Sequence, residues 1–113
     1  MDRAELIEEL LCYRDSMPEV LAGLVAYGWD CDEPLADLKA SHICYALHRY
    51  IRAELSASQI EVWANAIECR DDIAYEPSSL EGDTIFELAN PELTQQLNPE
   101  RAKQLLKLLS VDP

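Results

Sequence analysis

The sequence predicts a compact, single-domain all-α bundle of five to six helices that spans residues 1–113. Apolar residues recur at spacings of three and four along almost the whole chain, as they do on the buried face of a helix. No run of residues alternates between apolar and polar in the manner of a half-buried strand. The 113 residues, 49% of them hydrophobic, suffice for one core and argue against disorder.

A proline separates the first two predicted helices. The first apolar stripe consists of Leu6, Ile7, Leu10 and Leu11. Asp2 can cap this helix, which we expect to stop before Pro18, a residue suited to the first turn of the next helix. The second stripe consists of Val20, Leu21, Leu24 and Val25. Gly28 is expected to end that helix.

An acidic loop over residues 29–34 precedes a third and a fourth helix. The third has an apolar side formed by Ile43, Cys44, Leu47, Tyr50, Ile51 and Leu55. Either Ser56 or Ser58 begins the fourth, and the sequence from Ser58 to Glu61 fits a capping box. Its buried stripe consists of Ile60, Trp63, Ala64 and Ile67.

In the last third of the chain, the sequence predicts an exposed loop over residues 73–83 and a short helix around residues 84–89. Asn90-Pro91-Glu92 and Asn98-Pro99-Glu100 repeat one helix-start signal, in which Asn caps, Pro occupies the first turn and Glu meets the helix dipole. The apolar stripe of the final helix consists of Ala102, Leu105, Leu106 and Leu109.

The charge of the chain excludes some function classes. There are 22 Asp and Glu residues against 9 Lys and Arg, a net charge of −13. Nucleic-acid binding and docking on anionic membranes both need cations, so neither is expected. Residues 53–100 contain 11 acids and one base, which indicates an acidic patch. Self-repulsion favours a monomer when the protein is free, and the charge favours a basic partner.

The expected compartment is the cytoplasm. The longest apolar run, over residues 20–27, falls short of the roughly 20 residues that a membrane-spanning helix needs. The N-terminus has no basic segment before an apolar run, so we expect no signal peptide. The four cysteines are therefore expected to be free thiols.

Catalytic and metal-binding patterns are weak, and we expect no catalytic residue, no metal and no cofactor. His42 and His48 lie six positions apart, on different sides of one helix, and no nucleophile motif accompanies Cys44. Cysteine and histidine spacings do not match a zinc site. The pair Asp71-Asp72 is compatible with magnesium, which keeps a small metal-dependent enzyme as an alternative.

The fourth helix carries the strongest candidate binding surface. Glu61, Asn65, Glu68 and Asp72 follow the spacing of one helical face, which is either an ordinary solvated face or an acidic docking surface. The predicted partner-binding residues are Glu61, Glu68, Asp71, Asp72, Tyr75 and Glu76. Tyr75 is the expected aromatic anchor. Trp29 is either a lid on the core or a second anchor.

Two stretches resemble a known family of proteins. They are ELSASQIEVWANAIECRDDIAYE over residues 54–76 and IFELANPEL over residues 85–93, followed by Asn98-Pro99-Glu100 and a Leu-rich helix. They resemble small acidic bacterial immunity proteins of contact-dependent growth inhibition and related polymorphic toxin systems. The resemblance covers about residues 40–110 and leaves out the first two helices.

The resemblance implies a function that the charge pattern suits. An immunity protein binds the C-terminal toxic domain delivered by a sister cell, with one-to-one stoichiometry, and blocks it. Many such toxins are nucleases with basic active sites, for which an acidic inhibitor is the natural complement. No binding residues are carried over from the family, because immunity surfaces differ with each toxin. An acidic adaptor or regulator of another pathway remains the main alternative.

Overall fold

Helices dominate the computed structural model, which describes residues 2–13, 17–28, 30–68 and 70–110. The described residues form six helices and one pair of short strands. The helices are α1 (Arg3–Leu11), α2 (Met17–Val25), α3 (Ala40–Ile51), α4 (Ala57–Ile67), α5 (Leu80–Ala89) and α6 (Pro99–Ser110). The strands are β1 (Ala36–Asp37) and β2 (Ile73–Ala74). The predicted all-α class is confirmed. No helix in the described ranges has the length and apolar character needed to cross a membrane.

The core lies where three helix pairs meet. The helices pack chiefly as α1 with α2, α3 with α6, and α4 with α5. Trp63 on α4 is fully buried, and its indole Nε1 donates a hydrogen bond of 2.7 Å to the carbonyl oxygen of Leu10 on α1. The Tyr13 ring packs on this indole at a centroid distance of 6.0 Å. This buried side chain is therefore one of the links between the N-terminal helix pair and the rest of the bundle.

Side-chain caps begin several helices as the sequence predicts. The Asp2 carboxylate accepts a hydrogen bond from the Glu5 amide, and the Glu5 side chain accepts one from the Asp2 amide. Of the two candidate serines, Ser56 is the cap of α4, paired reciprocally with Gln59. Ser58 lies inside the helix, so the capping box predicted from Ser58 to Glu61 is wrong. Asn98 caps α6 through a 2.8 Å bond from the Arg101 amide.

The repeated Asn-Pro-Glu signal begins only one helix. Asn90 ends α5, and its side-chain amide donates to the Phe86 carbonyl at 3.0 Å. The residues after it form a turn in which the Thr94 hydroxyl donates to the carbonyl oxygens of Glu87 and Asn90. The helix predicted from Asn90-Pro91-Glu92 is absent here because the Asn90 side chain is used to close the preceding helix.

A short parallel strand pair departs from the prediction that the chain contains no strand. Ala36 pairs with Ile73, and Asp37 pairs with Ala74. A 2.8 Å bond from the Leu35 amide to the Asp72 carbonyl extends the pairing. Two-residue strands are too short to show an alternating pattern, so the sequence could not reveal them. The predicted exposed loop over residues 73–83 therefore contains β2 and also the first turn of α5.

Gly82 marks a close approach between α5 and the segment before it. A Cβ atom placed on Gly82 would overlap the Glu76 carbonyl oxygen and lie 2.6 Å from that of Pro77. Both atoms belong to the backbone and cannot rotate away. Gly23 on α2 differs, because its Cβ would meet only the flexible end of Leu6, at 3.1 Å.

We expect Gly82→Ala to lower the free energy of unfolding by about 1–3 kcal/mol or more, through overpacking against backbone. The matched control is Gly23→Ala, for which the helix-propensity gain of about 0.5–1 kcal/mol offsets a soft contact. Urea denaturation followed by circular dichroism measures both. Equal stabilities of the two variants would contradict the close approach at Gly82.

Candidate binding surface

The fourth helix ends before it reaches the last acids of the predicted acidic face. Helix α4 ends at Ile67, and the next residue, Glu68, has an extended ψ of 134°. Asp71 and Asp72 therefore do not continue the helical spacing that begins at Glu61. The pairing of β2 with β1 requires an extended chain at this point, and that requirement ends the helix. The prediction that these acids share one outward helical face is wrong.

Asp72 is the clearest departure from its predicted position. Its side chain is 0% exposed. One carboxylate oxygen accepts a bond from Arg70 Nε at 2.9 Å, and the other accepts bonds from Arg3 Nε at 2.9 Å and Arg70 Nη2 at 3.2 Å. An acid enclosed by two guanidinium groups cannot dock a partner. We therefore remove Asp72 from the candidate binding residues.

The same two arginines hold the segment that follows α2. Arg70 also donates to the Gly28 carbonyl at 3.0 Å, and Arg3 donates to the Asp30 carbonyl at 2.7 Å. Burial by itself raises the pKa of Asp72, but the hydrogen bonds from Arg70 and Arg3 outweigh it and hold that pKa below its usual value. Asp72 is therefore ionised, and it joins α1, the loop after α2 and the approach to β2.

The other predicted binding residues are dispersed. Glu61 is half-buried beside a small hollow that Glu87 of α5 also lines. Glu68 is half-buried and accepts a 3.1 Å hydrogen bond from Asn90. Tyr75, expected to be exposed, is partly buried and packs against the core. Asp71 and Glu76 are exposed, so these two carboxylates are available as predicted. Trp29 and Cys69 lie outside the described residues.

The fold assembles a different acidic surface around the strand pair. The β1–β2 pairing, with flanking bonds from Leu35 to Asp72 and from Leu38 to Ala74, brings residues 35–38 beside residues 72–74 and so joins segment 30–37 to segment 71–76. We call the exposed carboxylates of these two segments the acidic edge: Asp30, Asp32, Glu33, Asp37, Asp71 and Glu76. Arg3, Asp30, Asp32 and Glu33 line one hollow there. The sequence showed the acids of the first segment but gave no signal that they adjoin the second.

The candidate catalytic groups have structural contacts. His42 Nδ1 accepts a 3.0 Å bond from the Lys39 amide at the start of α3. Cys12, Cys31 and Cys44 are free thiols, and burial raises the pKa of Cys44. No three His, Cys, Asp or Glu side chains converge as metal ligands within residues 2–13, 17–28, 30–68 and 70–110.

Comparisons with known proteins found no relative. No protein-family model matches the chain, no curated protein matches it, and no solved structure matches its fold.

We expect Asp72→Asn to lower the free energy of unfolding by about 3–5 kcal/mol, because the buried Arg70 guanidinium and Arg3 would lose the carboxylate that they share. Asp71→Asn, at the adjacent exposed position, should change it by no more than about 0.5 kcal/mol. Urea denaturation at pH 7 distinguishes the two. Similar losses in both variants would show that Asp72 does not anchor the fold.

His42 should make stability depend on pH. Burial lowers its pKa in the folded protein, Glu8 opposes that shift and Lys39 adds to it. The unfolded chain therefore binds more protons just below pH 6.5, so stability falls as the pH falls through that value. We expect His42→Asn, which retains an acceptor but cannot titrate, to reduce the stability difference between pH 7.5 and pH 5.5. The matched control is His48→Asn, at an exposed position of the same helix. A larger reduction in the control than in His42→Asn would contradict the assignment.

Proposed function

We propose that this protein is a non-enzymatic inhibitor that binds a basic partner protein through the acidic edge. The partner we propose is the C-terminal toxin domain of a contact-dependent growth inhibition or related polymorphic toxin system. The proposal rests on six exposed carboxylates that belong to two chain segments joined by the β1–β2 pairing. Arg3 and Arg70 both donate to the buried Asp72 carboxylate.

A cluster of exposed carboxylates favours the binding of a basic partner more than it favours the stability of the folded protein. Carboxylates that repel one another contribute nothing favourable to the stability of the free protein, but they speed the approach of a basic surface. A nuclease toxin presents such a surface, because its active site must attract phosphates. The resemblance of residues 54–76 and 85–93 to acidic immunity proteins supports the same class of partner.

The dimensions of the protein are compatible with one-to-one inhibition. Its accessible surface is 6533 Å². A standard interface covers about 800 Å² on each partner, which is about an eighth of this area. The net charge of −13 opposes association between two copies and favours a monomer until the toxin domain binds. The site of synthesis that we propose is the cytoplasm of the toxin-producing cell.

The test is protection of cells that express the toxin domain encoded by the neighbouring upstream gene. We expect the wild-type protein to restore growth and Asp71→Lys/Glu76→Lys to fail, with unchanged helical circular dichroism. The association rate of the purified pair should fall at least about tenfold at low salt, and this difference should shrink as salt screens the charges. Asp32→Lys/Glu33→Lys tests the other segment and should act in the same direction.

The matched control is Glu92→Lys/Glu100→Lys, an equal charge reversal outside the acidic edge. Both glutamates are exposed, one in the turn after α5 and the other in the first turn of α6. Equal protection by the control and by both edge variants would overturn the proposed binding surface. Failure of the wild-type protein to bind or protect against the domain would overturn the proposed function. A reversal at Asp72 is not informative here, because it would disrupt the fold.

A further inference from the structure

An apolar groove runs between α2 and α4 on the described surface. It has a volume of about 540 Å³. Its lining residues include Leu21, Val25, Val62 and Ala66. Val25 is 80% exposed and Val62 is 52% exposed, so two large apolar side chains on different helices face solvent at one place. Together with the other lining residues they form one contiguous apolar surface rather than scattered single side chains, and a contiguous apolar surface is one mark of a binding groove.

Helix α2 explains why the groove is apolar. Its sequence is MPEVLAGLV, with Glu19 as its one charged residue. Val20 and Leu24 point into the core, whereas Val25 lies on the solvent side. A helix that is apolar on more than its inward face is typical of one that is covered on both sides. In the described part of the chain, the inward side of α2 is covered by the core, whereas its Val25 side is left open to solvent.

The groove ends where the acidic edge begins. Gly28 and Arg70 both line the groove. They are in contact, because Arg70 donates a 3.0 Å hydrogen bond to the Gly28 carbonyl. Exposed Asp71 follows Arg70 directly, and Asp30 lies two residues after Gly28. Arg70 is paired with Asp72 at 2.9 Å. The residues at this end of the groove are therefore close in sequence to acids of the acidic edge, and an apolar centre beside a polar rim is the usual arrangement of a protein interface.

We propose that this groove binds an amphipathic basic helix of the partner protein, with its apolar side chains between α2 and α4 and its Lys or Arg side chains on the acidic edge. The groove lies between two helices, which is the geometry of helix-in-groove recognition. Charge complementarity selects a basic helix over a second copy of this chain, since two copies would each bring a net charge of −13 to the contact. The inference rests on the proposed function and adds the apolar half of its interface.

The probe is a fluorescent 14-residue amphipathic peptide of Leu and Lys, compared with one of Leu and Glu. We expect fluorescence anisotropy to show saturable binding of the Leu–Lys peptide only. Val25→Ser/Val62→Ser should weaken that binding at least fivefold. The matched control, Leu93→Ser/Leu108→Ser, removes two other exposed apolar side chains, which are 76% and 49% exposed, and should change it less than twofold. Circular dichroism verifies that both variants fold.

Three results would overturn the inference. The first is equal weakening by both double variants, and the second is no weakening by Val25→Ser/Val62→Ser. The third is a concentration-dependent dimer, seen by sedimentation, that Val25→Ser/Val62→Ser abolishes, because the occupant would then be a second copy. The proposed function can be tested apart from the groove. If Val25→Ser/Val62→Ser still protects cells and Asp71→Lys/Glu76→Lys does not, the partner binds the acidic edge without using the groove.

Discussion

The buried Asp72 carboxylate determines how the N-terminal half of the protein meets the C-terminal half. It receives three hydrogen bonds from Arg3 and Arg70, and those arginines use further donors to hold the Asp30 and Gly28 carbonyls. A buried ion pair is favourable only when its geometry satisfies the remaining polar atoms, since desolvation opposes it. That condition is met here: no buried side-chain nitrogen or oxygen of the described residues lacks a partner.

This interaction also shapes the charge of the surface above it. Arg3 and Arg70 both donate to Asp72, and Arg3 also lines the hollow that Asp30, Asp32 and Glu33 form. The Leu35 amide binds the Asp72 backbone carbonyl at 2.8 Å, which fixes the two acidic segments side by side. A buried ion pair, which stabilises the fold, thus lies next to a candidate binding surface whose carboxylates are exposed.

Apolar contacts supply the rigid support for that surface. Trp63 connects α4 to α1 through its bond to Leu10, and the close approach at Gly82 seats α5 against the segment that follows β2. Helix α4 thereby contributes its inward face to the core and its Val62 side to the groove beside α2. A preformed groove and a preformed acidic edge reduce the ordering cost of binding, which is a general route to affinity.

The sequence by itself determined the helical class, most of the stripes that became the core, and the caps at Asp2 and Asn98, because these depend on residues within one or two helical turns. Val25, predicted in the stripe of the second helix, is instead 80% exposed. The sequence also indicated that Asp71 and Glu76 would be exposed. Only the tertiary structure decided that α4 ends at Ile67 and that Asp72 is buried. The pairing of residues 35–38 with residues 72–74 requires an extended chain where the acidic-face prediction assumed a helix. Periodicity reports what a local segment can form, whereas a two-residue strand pair and an ion pair between Arg3 and Asp72 depend on segments far apart in the chain.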